Sequence, residues 1–124
     1  MDERRQAKPI DWMGSSREDL KSFPDEVQQA LGFDLYQVQL GAMPASAKPL
    51  TGNVRGVYEL KESHEGNAYR AVYIAKLKDK IYVLHCFQKK SPSGARTART
   101  DIDLVHHRLA AAARHYEENY GQEN

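Results

Sequence analysis

Apolar positions recur along this chain in two periods, and the change from one to the other divides it. Between Pro24 and Gly41 they fall at Val27, Ala30, Leu31, Leu35 and Val38, which is helical spacing. Pro24 suits the first position of that helix, Asp25 and Glu26 suit its positive end, and Gly41 supplies a stop. Ahead of it, Lys8 to Trp12 reads as a short first strand and Gly14-Ser15-Ser16 as a turn. Ser16 is then the cap of a first helix that begins Arg17-Glu18-Asp19-Leu20. Residues 42–53, rich in Pro, Ala, Ser and Gly, read as a loop.

The period then shortens to two. Val54–Lys61, Ala68–Leu77 and Ile81–Gln88 read as strands, joined by tight turns at His64-Glu65-Gly66-Asn67 and Lys78-Asp79-Lys80. Connections this short imply an antiparallel meander. Helical spacing returns at Ile102, Val105, Leu109, Ala112 and Tyr116, with Thr100 and Asp103 placed as a capping box. The expected class is α+β: two amino-terminal helices, an antiparallel sheet of three or four strands, and one carboxy-terminal helix. Residues 8–120 form the expected single domain, with 1–7 and 121–124 as tails.

Charge changes the picture. The net value is +1, yet residues 48–99 carry +7 while the segments on either side carry −3 each. A basic sheet between acidic ends points to an anionic partner, although a solvated lysine face accounts for the same charge. The single cysteine, Cys86, excludes an internal disulfide framework and a multi-thiolate zinc site, and suits a reducing cytoplasm. No apolar run approaches a membrane span or a signal core.

Strand alternation sorts the chemistry. Arg55, Val57, Glu59 and Lys61 share one face of their strand; Arg70, Val72, Ile74 and Lys76 share one; Ile81, Val83, His85, Phe87 and Lys89 share one. A sheet end carrying Glu59, Arg70, His85, Lys89 and Lys90 offers an acid–base candidate among cations. Cleavage of a phosphodiester by its own 2′-hydroxyl needs that combination. The same residues admit plainer readings: an Arg70–Glu59 surface pair, a satisfied core histidine, and edge lysines. Tyr58, Tyr69, Tyr73 and Tyr82 are candidates for stacking RNA bases or for packing. His106 and His107 diverge around the last helix and make no metal pair, so no metal or other cofactor is expected.

The strings DWMGSSREDLKSFP, AKPLTGNVRGVYEL, YRAVY, IYVLHCFQKKS and DIDLVHHRL, in this order, resemble the phage-related branch of the RelE/HigB-like toxins. The resemblance runs from Lys8 to about Tyr116. It implies the compact α+β fold of RelE and a type II toxin–antitoxin pair. The toxin would be a metal-independent endoribonuclease that cuts messenger RNA on the ribosome. Its partner would be an antitoxin, often of helix-turn-helix type, in a hetero-oligomer. By the same resemblance Arg70 meets the cleaved phosphate, Lys89 and Lys90 close the last strand, and Glu59 acts as base or orients the arginine. Lys48, Arg55, Lys61, Arg96 and Arg99 serve as the RNA-binding surface. Two departures stand out: the segment Gly94–Arg99 lacks the branch's proline, and Lys61 stands where an arginine is common. A protein-target poison, for example of DNA gyrase, and an inactive phage remnant are the alternative readings.

Overall fold

A computed structural model describes residues 7–50, 56–75, 77–89 and 98–120. Three helices and five strands follow in the order β1 (Ile10–Trp12), α1 (Ser16–Lys21), α2 (Asp25–Gln39), β2 (Lys48–Pro49), β3 (Val57–His64), β4 (Asn67–Ile74), β5 (Ile81–Lys89) and α3 (Arg99–Tyr120). The α+β class and the three helices agree with the expectation from sequence. The sheet is larger than expected, with five strands in the order β1-β5-β4-β3-β2.

β3, β4 and β5 form the expected meander, but β1 pairs parallel with β5, which corrects the all-antiparallel expectation. A parallel partner requires a long crossover, and here everything between β1 and β5 supplies it. β2 is a two-residue edge strand inside the stretch read as loop, with Lys48 opposite Glu59. The tails 1–6 and 121–124, the first residues of the strand expected from Val54, and most of the loop before α3 lie outside the described residues.

Both faces of the sheet are covered. On one, Leu60, Tyr69, Ala71, Tyr73, Ile81, Val83 and Cys86 pack against Leu20, Phe23, Val27, Leu31, Leu35 and Val38 of the amino-terminal helices. On the other, Val57, Val72, Ile74, Tyr82, Leu84 and Phe87 pack against Val105 and Ala112 of α3. The stripe predicted for α2 is therefore core. Its end is closed as expected: Gly41 takes φ +92°, Gly41 N–H donates to Val38 O and Ala42 N–H donates to Gln37 O, a Schellman closure.

Two helix starts differ from expectation by one residue. Ser15, not Ser16, is the cap of α1, and its hydroxyl donates to Asp19 Oδ2 (2.8 Å); Ser16 is buried and donates to Val83 O (3.2 Å). α3 already includes Arg99 and Thr100, with Ile102 N–H donating to Ala98 O, so Thr100 is not its cap.

β5 breaks the regular alternation. Val72 pairs with His85 but Tyr73 pairs with Val83, leaving Leu84 as an extra residue without a partner on β4. This is a β-bulge. Ile81 and Val83 consequently face the amino-terminal helices, while Leu84, His85 and Phe87 face α3. That corrects the expectation that Ile81, Val83, His85, Phe87 and Lys89 share a face. The carbonyl of Leu84 accepts a hydrogen bond from Arg108 Nη1 of α3 (2.9 Å).

Two predictions follow from this backbone. Arg108→Ala leaves the bulge carbonyl without its donor and is expected to cost about 1–3 kcal/mol, measured by urea denaturation. In the β3–β4 turn both Glu65 (φ +50°) and Gly66 (φ +81°) are left-handed, the pattern that favours Asn-Gly. Glu65→Asn is expected to raise stability by about 0.5 kcal/mol, read in the same titration.

Candidate active site

The bulge and the β3–β4 register bring the candidates onto the α3-facing side of the sheet. β3 is regular, so Glu59 and Lys61 lie on the same side as Val57; Lys61 stands directly opposite Arg70, and Arg70 directly opposite Phe87. Lys89, opposite Ala68, follows on that side at the end of β5. Glu59, Arg70, His85 and Lys89 are thus gathered as the sequence predicted. Lys48 is exposed on the adjoining edge strand and Arg99 is exposed at the first residue of α3. Lys90, Arg55 and Arg96 lie outside the described residues.

Three of these groups are buried: Glu59 is 7% exposed, Arg70 5% and His85 6%. Arg70 Nη1 donates to Glu59 Oε2 at 2.5 Å. The pair expected as a plain surface contact is therefore a buried ion pair. Removing one member of such a pair leaves an uncompensated charge, at a cost of about 3–5 kcal/mol. His85 Nε2 lies 2.7 Å from Asp101 Oδ1, on the first turn of α3, and its ring stacks on Phe87 with centroids 4.8 Å apart.

One polar atom of each residue is left over. Glu59 Oε1, Arg70 Nε, His85 Nδ1 and Lys89 Nζ are all buried without a hydrogen-bond partner among the described residues. Buried polar groups are ordinarily satisfied, so four such atoms on neighbouring positions of one sheet face single this place out as the candidate site. The set comprises a guanidinium, an ammonium, a carboxylate oxygen and an imidazole nitrogen. Together they can hold a phosphate and exchange protons with it.

The Lys89 ammonium is held below lysine's ordinary pKa. Desolvation is the main cause, and the nearby cations Arg70 and Lys61 add to it against the opposing pull of Glu59 and Asp101. A lysine pushed down in this way is a better proton donor near neutrality than a solvated one.

Other candidates separate cleanly. Tyr69, Tyr73 and Tyr82 are buried packing residues, and half-buried Tyr58 stacks on Tyr73 at 6.1 Å on the face of the sheet opposite the candidate site. Cys86 points to the opposite face from His85, and burial pushes its thiol up to about 12, far from a thiolate nucleophile. His106 and His107 are exposed, and among the described residues no cluster of three metal-ligating side chains occurs.

Sequence reasoning missed Asp101 and the stacking of Phe87. An acid in the first turn of a helix is adequately explained by the helix dipole, so nothing in the sequence separates Asp101 from Asp103. Only the docking of α3 onto β5 distinguishes them.

Residues 18–110 match the family described as phage derived protein Gp49-like. No curated protein matches the chain at a significant level. Among solved structures, a mutant of the Escherichia coli toxin RelE in the free state aligns with a TM-score of 0.53 at 15% identity, covering 86% of this chain and 98% of that one. The RelBE2 toxin–antitoxin complex of Mycobacterium tuberculosis aligns with a TM-score of 0.48 at 16% identity, covering 68% of this chain and 100% of the matched chain. The family match spans most of the sequence, as did the ordered motifs, and the chain belongs to the phage-derived Gp49-like family, built on the fold of toxin RelE.

Proposed function

We propose that the protein is the toxin of a type II toxin–antitoxin pair and acts in the cytoplasm as a metal-independent endoribonuclease on ribosome-bound messenger RNA. Four buried polar atoms, of Glu59, Arg70, His85 and Lys89, unpartnered among the described residues, carry this reading. The RelE fold, a fold whose solved example bears the name toxin, supports it, as does the phage-derived family.

In this reading the 2′-oxygen of a ribose attacks its own 3′-phosphate. Arg70, oriented by Glu59, receives the negative charge that grows on the phosphate. Lys89, with its lowered pKa, gives a proton to the departing 5′-oxygen. Lys61, Lys48 and Arg99 extend the cationic surface along the backbone, with Lys90, Arg55 and Arg96 from the same basic block. Lysine at position 61 contributes a point charge where an arginine would grip a phosphate bidentately. The ribosome supplies orientation that so small a site does not. A protein antitoxin of helix-turn-helix type, in a hetero-oligomer with this chain, holds the activity in check.

The test is induction in a bacterial host with mapping of RNA ends. Wild type is expected to stop growth and to leave new messenger RNA ends within coding regions. Intact messenger RNA in arrested cells, with DNA damage appearing first, would point instead to a protein target such as gyrase.

The site variants need care, because Arg70→Ala strands Glu59 and is expected to lose about 3–5 kcal/mol of stability besides activity. Arg70→Lys keeps a charge near Glu59 but loses the planar fork. It is expected to lower cleavage about 10²-fold while folding normally by circular dichroism.

Lys89→Met is expected to abolish cleavage and to melt higher than wild type. The sign follows from the lowered pKa: the unfolded chain holds this proton more tightly, so the charged lysine destabilises the native state at neutral pH. That penalty fades as pH rises through the lowered folded value toward 10.5, lysine's ordinary value. The difference in melting temperature should therefore shrink over the same range. A variant that melts lower than wild type at pH 7 would refute the account.

A further inference from the structure

His85 Nε2 meets the carboxylate of Asp101, while Nδ1 is buried without a hydrogen-bond partner among the described residues. From these two observations we infer that Asp101 is a positioning residue for His85, holding its proton on Nε2 so that Nδ1 is the base that takes the 2′-hydroxyl proton. This rests on the ribonuclease reading above.

The argument begins with what each atom is able to do. An ionised carboxylate only accepts hydrogen bonds, so the 2.7 Å contact requires Nε2 to carry the hydrogen. In the neutral ring the other nitrogen is then bare. Phe87, stacked almost parallel at 17°, restricts the tilt of the ring, and the bulge fixes the side of the sheet to which it points. With only 6% of His85 exposed, its free lone pair is not spent on solvent. A carboxylate behind an imidazole whose far nitrogen is free is the arrangement by which histidine works as a general base in the serine-hydrolase triad.

Glu59 is the competing base, with Oε1 unpartnered among the described residues, but its charge balances buried Arg70 through Oε2, and a proton on it would weaken that ion pair. The charged groups facing His85 divide by element. Glu59, Lys61, Arg70 and Lys89 come from the sheet, and Asp101 comes from α3. Asp101 is the one whose carboxylate is bonded to the ring, and it stabilises the imidazolium formed when the proton arrives.

The step balances. The 2′-oxygen bonds to phosphorus as the bond from phosphorus to the 5′-oxygen breaks. The 2′-proton passes to His85 Nδ1, and Lys89 supplies a proton to the 5′-oxygen. The products are a 2′,3′-cyclic phosphate and a 5′-hydroxyl end, and exchange with water returns the proton from His85 to Lys89.

Two measurements on the full chain test this. Nitrogen-15 spectra of the imidazole in mildly alkaline buffer are expected to show His85 protonated on Nε2 in wild type and a mixture of tautomers in Asp101→Ala. Single-turnover cleavage of messenger RNA on ribosomes by Asp101→Asn is expected to fall about 10²-fold or more, with ribosome binding and melting temperature little changed. Asp101→Glu, which restores a carboxylate, is expected to recover part of the rate. A wild-type ring protonated on Nδ1, or undiminished cleavage by a folded Asp101→Asn, overturns the proposal. A wild type that cuts no messenger RNA on ribosomes defeats the ribonuclease reading and the catalytic role together, while the nitrogen spectrum still decides whether Asp101 sets the tautomer.

Discussion

The phase of β5 governs this molecule. Its first residues must send Ile81 and Val83 into the core shared with the amino-terminal helices, and its last must send His85, Phe87 and Lys89 toward α3. Strict alternation cannot satisfy that set, because odd-numbered residues would all face one way. The extra residue at Leu84 resolves the conflict by shifting the phase once, midway. Its consequences spread. At the bulge Arg108 of α3 donates to the Leu84 carbonyl; two positions before the Val105 contact, the same helix carries Asp103 outward, and at its first turn it offers Asp101 to His85. One irregularity in the sheet thus dictates how the last helix must dock.

The site built on this irregularity is in tension with stability. Burying an arginine, a glutamate and most of a histidine beneath a helix carries a desolvation penalty that a hydrophobic set of the same volume would avoid. The Glu59–Arg70 pair offsets part of it, but each residue retains an unsatisfied atom, and Lys89 keeps a charge that its surroundings disfavour. A fold optimised only for stability would carry none of this. The apolar contacts of α3 lie elsewhere, at Val105 and Ala112 with Ile102, Leu109 and Tyr116 beside them, so the helix is held by packing rather than by the polar site.

Much of the fold was legible because its signals are local. The stripe Val27, Leu31, Leu35, Val38, the glycine that ends α2, and the turn at Glu65-Gly66 each follow from spacing or from a backbone angle. β1 and β2 carried weaker signals: three and two residues are too short to show a period, and the parallel pairing of β1 with β5 is a decision of topology. The candidate site was half legible. Glu59, Arg70, His85 and Lys89 were gathered by assuming regular strands, and they do share a side. For β5, however, that assumption also grouped them with Ile81 and Val83, which lie on the opposite face. Leu84 and His85 both fit an uninterrupted apolar strand, so the bulge leaves no mark in composition.

Asp101 shows why a site spanning two elements resists reading from sequence. Its sixteen-residue separation from His85 runs from within β5 to the first turn of α3. No periodicity links such positions; they meet only because α3 is anchored further along by Arg108 on the bulge and by apolar contacts on β5. The histidine's partner therefore depends on the packing of a whole helix, and the chemistry available at Nδ1 depends on that partner. In this chain the same helix that closes the core also sets which nitrogen of His85 is free.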